Sequence, residues 1–252
     1  MAALLFLAPA WAAAAPPPPA CEAAPVDKPA GVRHVHDGDT LILDDGQRLR
    51  LAGVDTPEVA RDGRPAEPLA EEARRHLRQL LGHGPRLLLL ADREAQDHYG
   101  RRLAHAYLPG GSSVQRALLT AGLAVLHLVP PNTLNAACYA AAEEQARQAR
   151  RGLWALPQYQ PVEATQLSAD TEGYRIVRGR VARVGESRDA MWLNLEGGVA
   201  LRLDRDDLPA FGAQAWNAWR GRRVEARGKL RRHENGWRMT LLHPHALQRL
   251  EP

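Results

Sequence analysis

Residues 31–54, GVRHVHDGDTLILDDGQRLRLAGV, decide the fold. Apolar and polar positions alternate in Thr40-Leu41-Ile42-Leu43 and in Leu49-Arg50-Leu51, and the acidic turn residues Asp37-Gly38-Asp39 and Asp44-Asp45-Gly46 punctuate them. The stretch therefore reads as a β-meander. A period of two sends Leu49 and Leu51 to one face and Arg50 to the other, so the leucines can enter a core while the guanidinium projects away from it. Runs at 86–90 and 103–107 raise the count to five strands.

Three helical patterns lie between and after these strands. The first, 66–81, has Leu69, Ala73, Leu77 and Leu80 at helical spacing, a Glu71/Arg75 pair and Gly82 as its stop. The second follows Ser113 as N-cap, turns Val114, Leu118 and Ala121 inward and stops at Gly122. The third follows Asn132-Thr133 and ends at Gly152, with Leu134, Cys138, Ala142 and Ala149 on one side and charges on the other. Trp154, just beyond, is expected to pack that helix end against the strands. The expected class is α+β, a five-stranded OB-fold barrel with three helices over 31–157.

Three short blocks carry chemistry: Asp37-Gly38-Asp39-Thr40, the run from Arg50 to Glu58, and Asp97-His98-Tyr99-Gly100-Arg101. Asp37, Asp39 and Asp55 offer hard anionic oxygens, which suit Ca2+ and would repel one another without a cation. Arg50 and Arg101 offer planar forks that match phosphate oxygens. Glu58 remains to position or deprotonate a water. Each block alone reads equally as a solvated turn or a surface charge; in this order together they point to phosphodiester hydrolysis.

On these motifs, D-G-D-T, then R-x-x-x-V-D-T-P-E, then D-x-Y-G-R, the stretch 31–154 resembles the staphylococcal nuclease family. The resemblance implies that Asp39, Asp55 and the Thr56 carbonyl ligate Ca2+, with Asp37 in or near the outer shell. It implies that Arg50 and Arg101 bind the reacting phosphate, that Glu58 is the base, and that the products carry 3′-phosphates. Tyr99, His98 and His127 are candidates for substrate contact. In the family two tyrosines pack on the nucleotide after the second helix; here a one-residue gap puts His127 and Val129 at those positions.

The chain has 252 residues, a formal charge of +4 and a pI near 9.4, which fits a polyanionic partner only weakly. Residues 1–15, MAALLFLAPAWAAAA, read as an export signal although no Lys or Arg precedes the apolar run. Residues 16–30 form a Pro/Ala-rich spacer. The run is too short and Pro-interrupted to span a membrane. Localisation is expected to be secreted or periplasmic, where Cys21 and Cys138 can form a disulfide; otherwise Cys138 reads as a small buried apolar residue.

Residues 158–173 read as a polar linker, followed over 174–252 by a smaller β-rich, OB-like unit with strands at 177–184, 191–195, 199–203, 224–230 and 237–241 and a helical patch at 211–219. Arg178, Arg180, Arg183, Arg222, Arg223, Arg227, Lys229, Arg231 and Arg232 interleave there with Trp192, Trp219 and Trp237. That composition fits either single-stranded nucleic-acid binding or an ordinary core with a solvated face. The function expected is a monomeric Ca2+-dependent endonuclease for DNA and RNA, single strands preferred. The alternatives are a non-catalytic binding module on the same fold and an exported Ca2+-binding protein.

Overall fold

A computed structural model describes Cys21 and residues 29–168, 171–234 and 236–250; the expected signal and most of the spacer lie outside the described residues. In chain order come β1 (Ala30–Val35), β2 (Thr40–Leu43), β3 (Arg48–Leu51), β4 (Gly53–Asp55), α1 (Ala70–Leu81), β5 (Arg86–Leu90), β6 (Arg102–Tyr107), α2 (Val114–Thr120), β7 (Val125–His127) and α3 (Ala136–Gln148). Strands β1-β2-β3-β6-β5 close into a barrel in which only β3 and β6 run parallel. The expected alternation fills it: Leu41, Leu43, Leu49, Leu51, Leu87, Leu89, Ala104 and Ala106 are buried together. Strand β4 leaves the barrel to pair with β7, which brings His127 opposite Gly53.

The helices differ from expectation in instructive ways. Helix α1 starts at Ala70, not at 66, because Pro68 disfavours helical geometry in the residue before it and Leu69 takes the left-handed conformation. Its buried face is Ala70, Ala73, Leu77 and Leu81, with Leu80 only partly covered, and its ion pairs are Glu71–Arg74 and Glu72–Arg75 in place of Glu71/Arg75. Ser113 caps α2, accepting from the Arg116 N–H at 3.2 Å. In α3 Ala149 is exposed, and Glu143, assigned to a charged outer face, is completely buried.

The second half contains β8 (Pro161–Glu163), β9 (Gly173–Glu186), β10 (Ala190–Leu195), β11 (Val199–Asp204), β12 (Arg223–His233), β13 (Gly236–Thr240) and β14 (Leu247–Arg249). Its ring runs β9-β10-β11-β13-β12 and closes through β12–β9, with β11–β13 its parallel pair. Counted within each unit, this is the strand order of the first barrel, an OB topology built twice without a shared motif. The patch at 211–219 is not an α-helix but two 3-10 turns, Arg205–Phe211 and Trp216–Trp219. The stretch expected as a linker carries structure: β8 adds to β9 in parallel, and Tyr159 and Ala164 are buried.

The two barrels meet along β12. Its period of two puts Glu225, Arg227 and Lys229 on one face, and each meets an opposite charge: Arg147 at 2.9 Å, Glu143 at 2.7 Å and Asp55 at 3.0 Å. Arg178 also holds Glu225, at 2.7 Å. Trp154 packs with Ala146 of α3 and Val125 of β7, and also edge-on against Tyr159 and Tyr174, which stack on each other at the seam. The basic set of the second unit is thus partly consumed: Arg178, Arg227 and Lys229 make these pairs, Arg223 pairs with Glu163, and Trp219 and Trp237 are core. Cys21 and Cys138 are bonded, their Cα atoms 5.4 Å apart, which ties the chain ahead of β1 to α3.

Removing one partner of a buried pair leaves the other charge uncompensated, at a cost of about 3–5 kcal/mol. Glu143→Ala should therefore lower the unfolding free energy by about that amount in urea titration, while Glu143→Leu with Arg227→Met recovers most of the loss. A Glu143→Ala protein as stable as wild type would refute the pairing. Reduction of the Cys21–Cys138 bond is expected to cost about 2–4 kcal/mol, read from denaturation with and without reductant.

Candidate active site

The acidic turn is shaped by close packing. A Cβ at Gly38 would come within 2.6 Å of Thr56 Oγ1 and 2.8 Å of the Ala73 Cβ, so the D-G-D sequence fits only with glycine at its centre. Asp37 Oδ1 accepts the backbone N–H groups of Asp39 (3.0 Å) and Thr40 (2.6 Å), which fixes the turn. Asp39 points inward: Oδ2 accepts from the Thr56 N–H at 2.8 Å and its hydroxyl at 3.0 Å, and Oδ1 from the Thr40 hydroxyl at 3.1 Å.

Arg50 crosses from β3 into this cluster, as its register predicts. Its Nη2 lies 3.2 Å from Asp39 and 2.8 Å from Asp55, and its Nη1 donates to the carbonyls of Leu51 and Val54 at 2.9 and 2.7 Å. Burial works against its charge, but Asp39, Asp55 and Asp37 outweigh burial and hold it firmly protonated. The two carboxylates it bridges differ. Burial pushes Asp39 up to about 7, with Asp37 and Asp55 adding to the push against Arg50. Burial also acts on Asp55, but Arg50 and Lys229 overcome it and hold its carboxyl below the usual range.

Glu58 stands exposed at the mouth, its N–H donating to Glu67 at 3.0 Å. Burial of its surroundings, then Asp55 and Asp37, raise its carboxyl above the ordinary range, the direction suited to accepting a proton near neutrality. Arg101 pairs with Asp97, its Nε 2.7 Å from Oδ2, and its guanidinium lies 5.4 Å from the Tyr99 ring. It sits one residue before β6, whose Arg102 pairs with Leu49 beside Arg50. Tyr99 is 73% exposed and packs on His98 at 3.7 Å between centroids. His127 flanks Asp55, and burial holds its imidazole below the usual range against the pull of that carboxylate. Val129, at 46% exposure, faces solvent and offers no aromatic ring.

Sequence reasoning places Lys229 only in the basic set of the second unit, not at this site, since no local pattern links a lysine on β12 to an aspartate on β4. Its ammonium lies 3.0 Å from Asp55 Oδ2. Among the described residues no three His, Cys, Asp or Glu side chains converge on a point where they alone would hold a metal. Asp39 and Asp55 supply two carboxylates, and the Thr56 backbone lies against Asp39, so the donors there are oxygens. A hard divalent cation completed by carbonyl and water oxygens fits that donor set.

Buried carboxylates crossed by an arginine, with a raised carboxylate alongside, form an arrangement that suits binding a phosphate and positioning a water. The family model described as staphylococcal nuclease homologue matches residues 48–156. The thermonuclease of Staphylococcus intermedius is 37% identical over 126 residues, covering 49% of this chain and 74% of the relative. The thermonuclease of Staphylococcus hyicus is 35% identical over 130 residues, with 49% and 73% covered. Endonuclease YncB of Bacillus subtilis (strain 168) is 32% identical over 127 residues, with 49% and 60% covered. The chain belongs to the staphylococcal nuclease family. It is a nuclease, a hydrolase of nucleic acid, and the family match ends before the second barrel.

Arg50→Lys keeps the charge but loses the fork that spans two carboxylates and two carbonyls. Expected is a fall in kcat of about 10²–10³-fold with the circular dichroism spectrum retained. Near-wild-type turnover in Arg50→Lys would remove the fork from the chemistry.

Proposed function

We propose that the protein is an exported, monomeric, Ca2+-dependent endonuclease that hydrolyses DNA and RNA, single strands preferentially. The observation that carries this reading is the Arg50 guanidinium between Asp39 and Asp55, with the raised Glu58 carboxylate beside it. Asp39, Asp55 and the Thr56 carbonyl would hold Ca2+, with Asp37 in the outer shell. Bound there, Ca2+ would lower the pKa of its water and offset charge on a phosphate oxygen. Glu58 takes the proton from the attacking water, Arg50 donates to the phosphate oxygens as negative charge builds on them, and Arg101, released from Asp97, adds a second fork. His127, which flanks Asp55, and Tyr99 and His98, which neighbour Arg101, are the proposed contacts to the nucleotide.

The Cys21–Cys138 bond and the apolar first fifteen residues support export to an oxidising compartment, secreted or periplasmic. No described helix is long and apolar enough to cross a membrane. The domain reading assigns nuclease chemistry to 31–157 and no chemistry of its own to 174–252.

Cleavage of a labelled single-stranded DNA is expected with Ca2+ and to stop in chelator. Asp39→Ala and Glu58→Gln should each lower the rate by at least about 10²-fold. Undiminished hydrolysis in chelator, or by either variant, would sink this mechanism.

A further inference from the structure

The outward face of the second barrel carries two rows of side chains that begin at the nuclease site. Leu230 pairs with Met239, which puts Lys229 level with Thr240; Thr240 pairs with Arg202, and Arg202 with Trp192. The adjacent row runs Arg231, Arg238, Ala200, Asn194, Arg183. Between these rows Leu230, Met239, Leu201 and Leu193 point into the core, so both rows face out.

Two clefts lie along them. One, of about 370 Å3, is lined by Asp55 and His127 of the nuclease unit and by Lys229, Arg231 and Arg238 of the second barrel. The other, of about 430 Å3, is lined by Arg183, Trp192, Asn194 and again Arg238. Arg238 borders both, so the surface continues from the nuclease site to Trp192. Each cleft has one carboxylate among its described lining residues, Asp55 in the first and Glu186 in the second, so its charge favours an anion.

Trp192 is set as a rigid platform. Its indole N–H donates to Ser187 Oγ at 3.1 Å, and the guanidinium carbons of Arg238 and Arg202 lie 5.0 and 5.9 Å from its ring. Arg202 is tied by Asp204 and Asp189 at 2.6 and 2.9 Å and braces the ring, whereas Arg238 bonds to His233 and no carboxylate holds it among the described residues.

We propose that this face is a track for the single-stranded polynucleotide that continues from the nuclease site past Lys229, with backbone phosphates on Arg231 and Arg238 and a base stacked on Trp192. The proposal rests on the nuclease reading for the direction of the strand. From β12 to β10 is three strand spacings, about 14 Å, room for several nucleotides. An aromatic face reads an unpaired base and not a stacked duplex, which selects a single strand.

The test uses the full chain and fluorescence anisotropy in chelator, comparing a 20-nucleotide thymidine single strand with a thymidine dinucleotide. Arg231→Glu with Arg238→Glu should weaken the 20-mer about tenfold or more and lower its salt slope by about two, so its advantage over the dinucleotide collapses. Trp192→Ala should weaken it about fivefold or more, with Trp192→Phe restoring most of that. Arg231→Glu alone, at an exposed position, should show a smaller change of the same kind, and thermal melts establish folding. A folded double variant that binds the 20-mer with wild-type affinity and salt slope overturns the track, as does an equal loss for the dinucleotide. Charge-dependent 20-mer binding by a wild-type protein that cleaves nothing when metal is restored upholds the track and sinks the nuclease reading alone.

Discussion

The guanidinium of Arg50 holds together three pieces of chain that would otherwise push apart. Asp39 on the turn after β1, Asp55 at the end of β4 and the carbonyls of Leu51 and Val54 all converge on it. Without a cation at their centre, buried carboxylates so close cannot both remain ionised. Even with it, burial, with Asp37 and Asp55, pushes Asp39 up to about 7. Lys229 of the other barrel adds a second cation beside Arg50, on Asp55.

Strand β12 turns the same logic into architecture. Alternate residues Glu225, Arg227 and Lys229 each meet an opposite charge on the nuclease unit, so the second barrel is held in register by ion pairs and by the Trp154, Tyr159 and Tyr174 cluster. A buried pair such as Arg227–Glu143 contributes more to orientation than to stability, since both charges lose most of their water on the way in. The orientation matters here because it sets the outward face of the second barrel beside the nuclease site.

Local periodicity made much of this readable. The strands of both barrels follow from alternation, and α2 from its serine cap. The start of α1 shifted because Pro68 overrides helical spacing, and the segment around β8 read as a linker because three residues of strand give too short a period to recognise. Glu143 looked like a solvent-facing charge for a reason that holds in general: the helical wheel of α3 contains no information about what packs against it.

By itself, then, the sequence determined the first barrel, the acidic turn and the side to which Arg50 points, because each depends on neighbours within a few residues of one another. Only the tertiary structure decided which of the second unit's basic residues are spent on ion pairs, which tryptophans are core, and that Lys229 sits on Asp55. Those outcomes depend on how two barrels dock. Docking is set by complementary charge between residues far apart in the chain, and no periodicity along either segment encodes the partner it will meet.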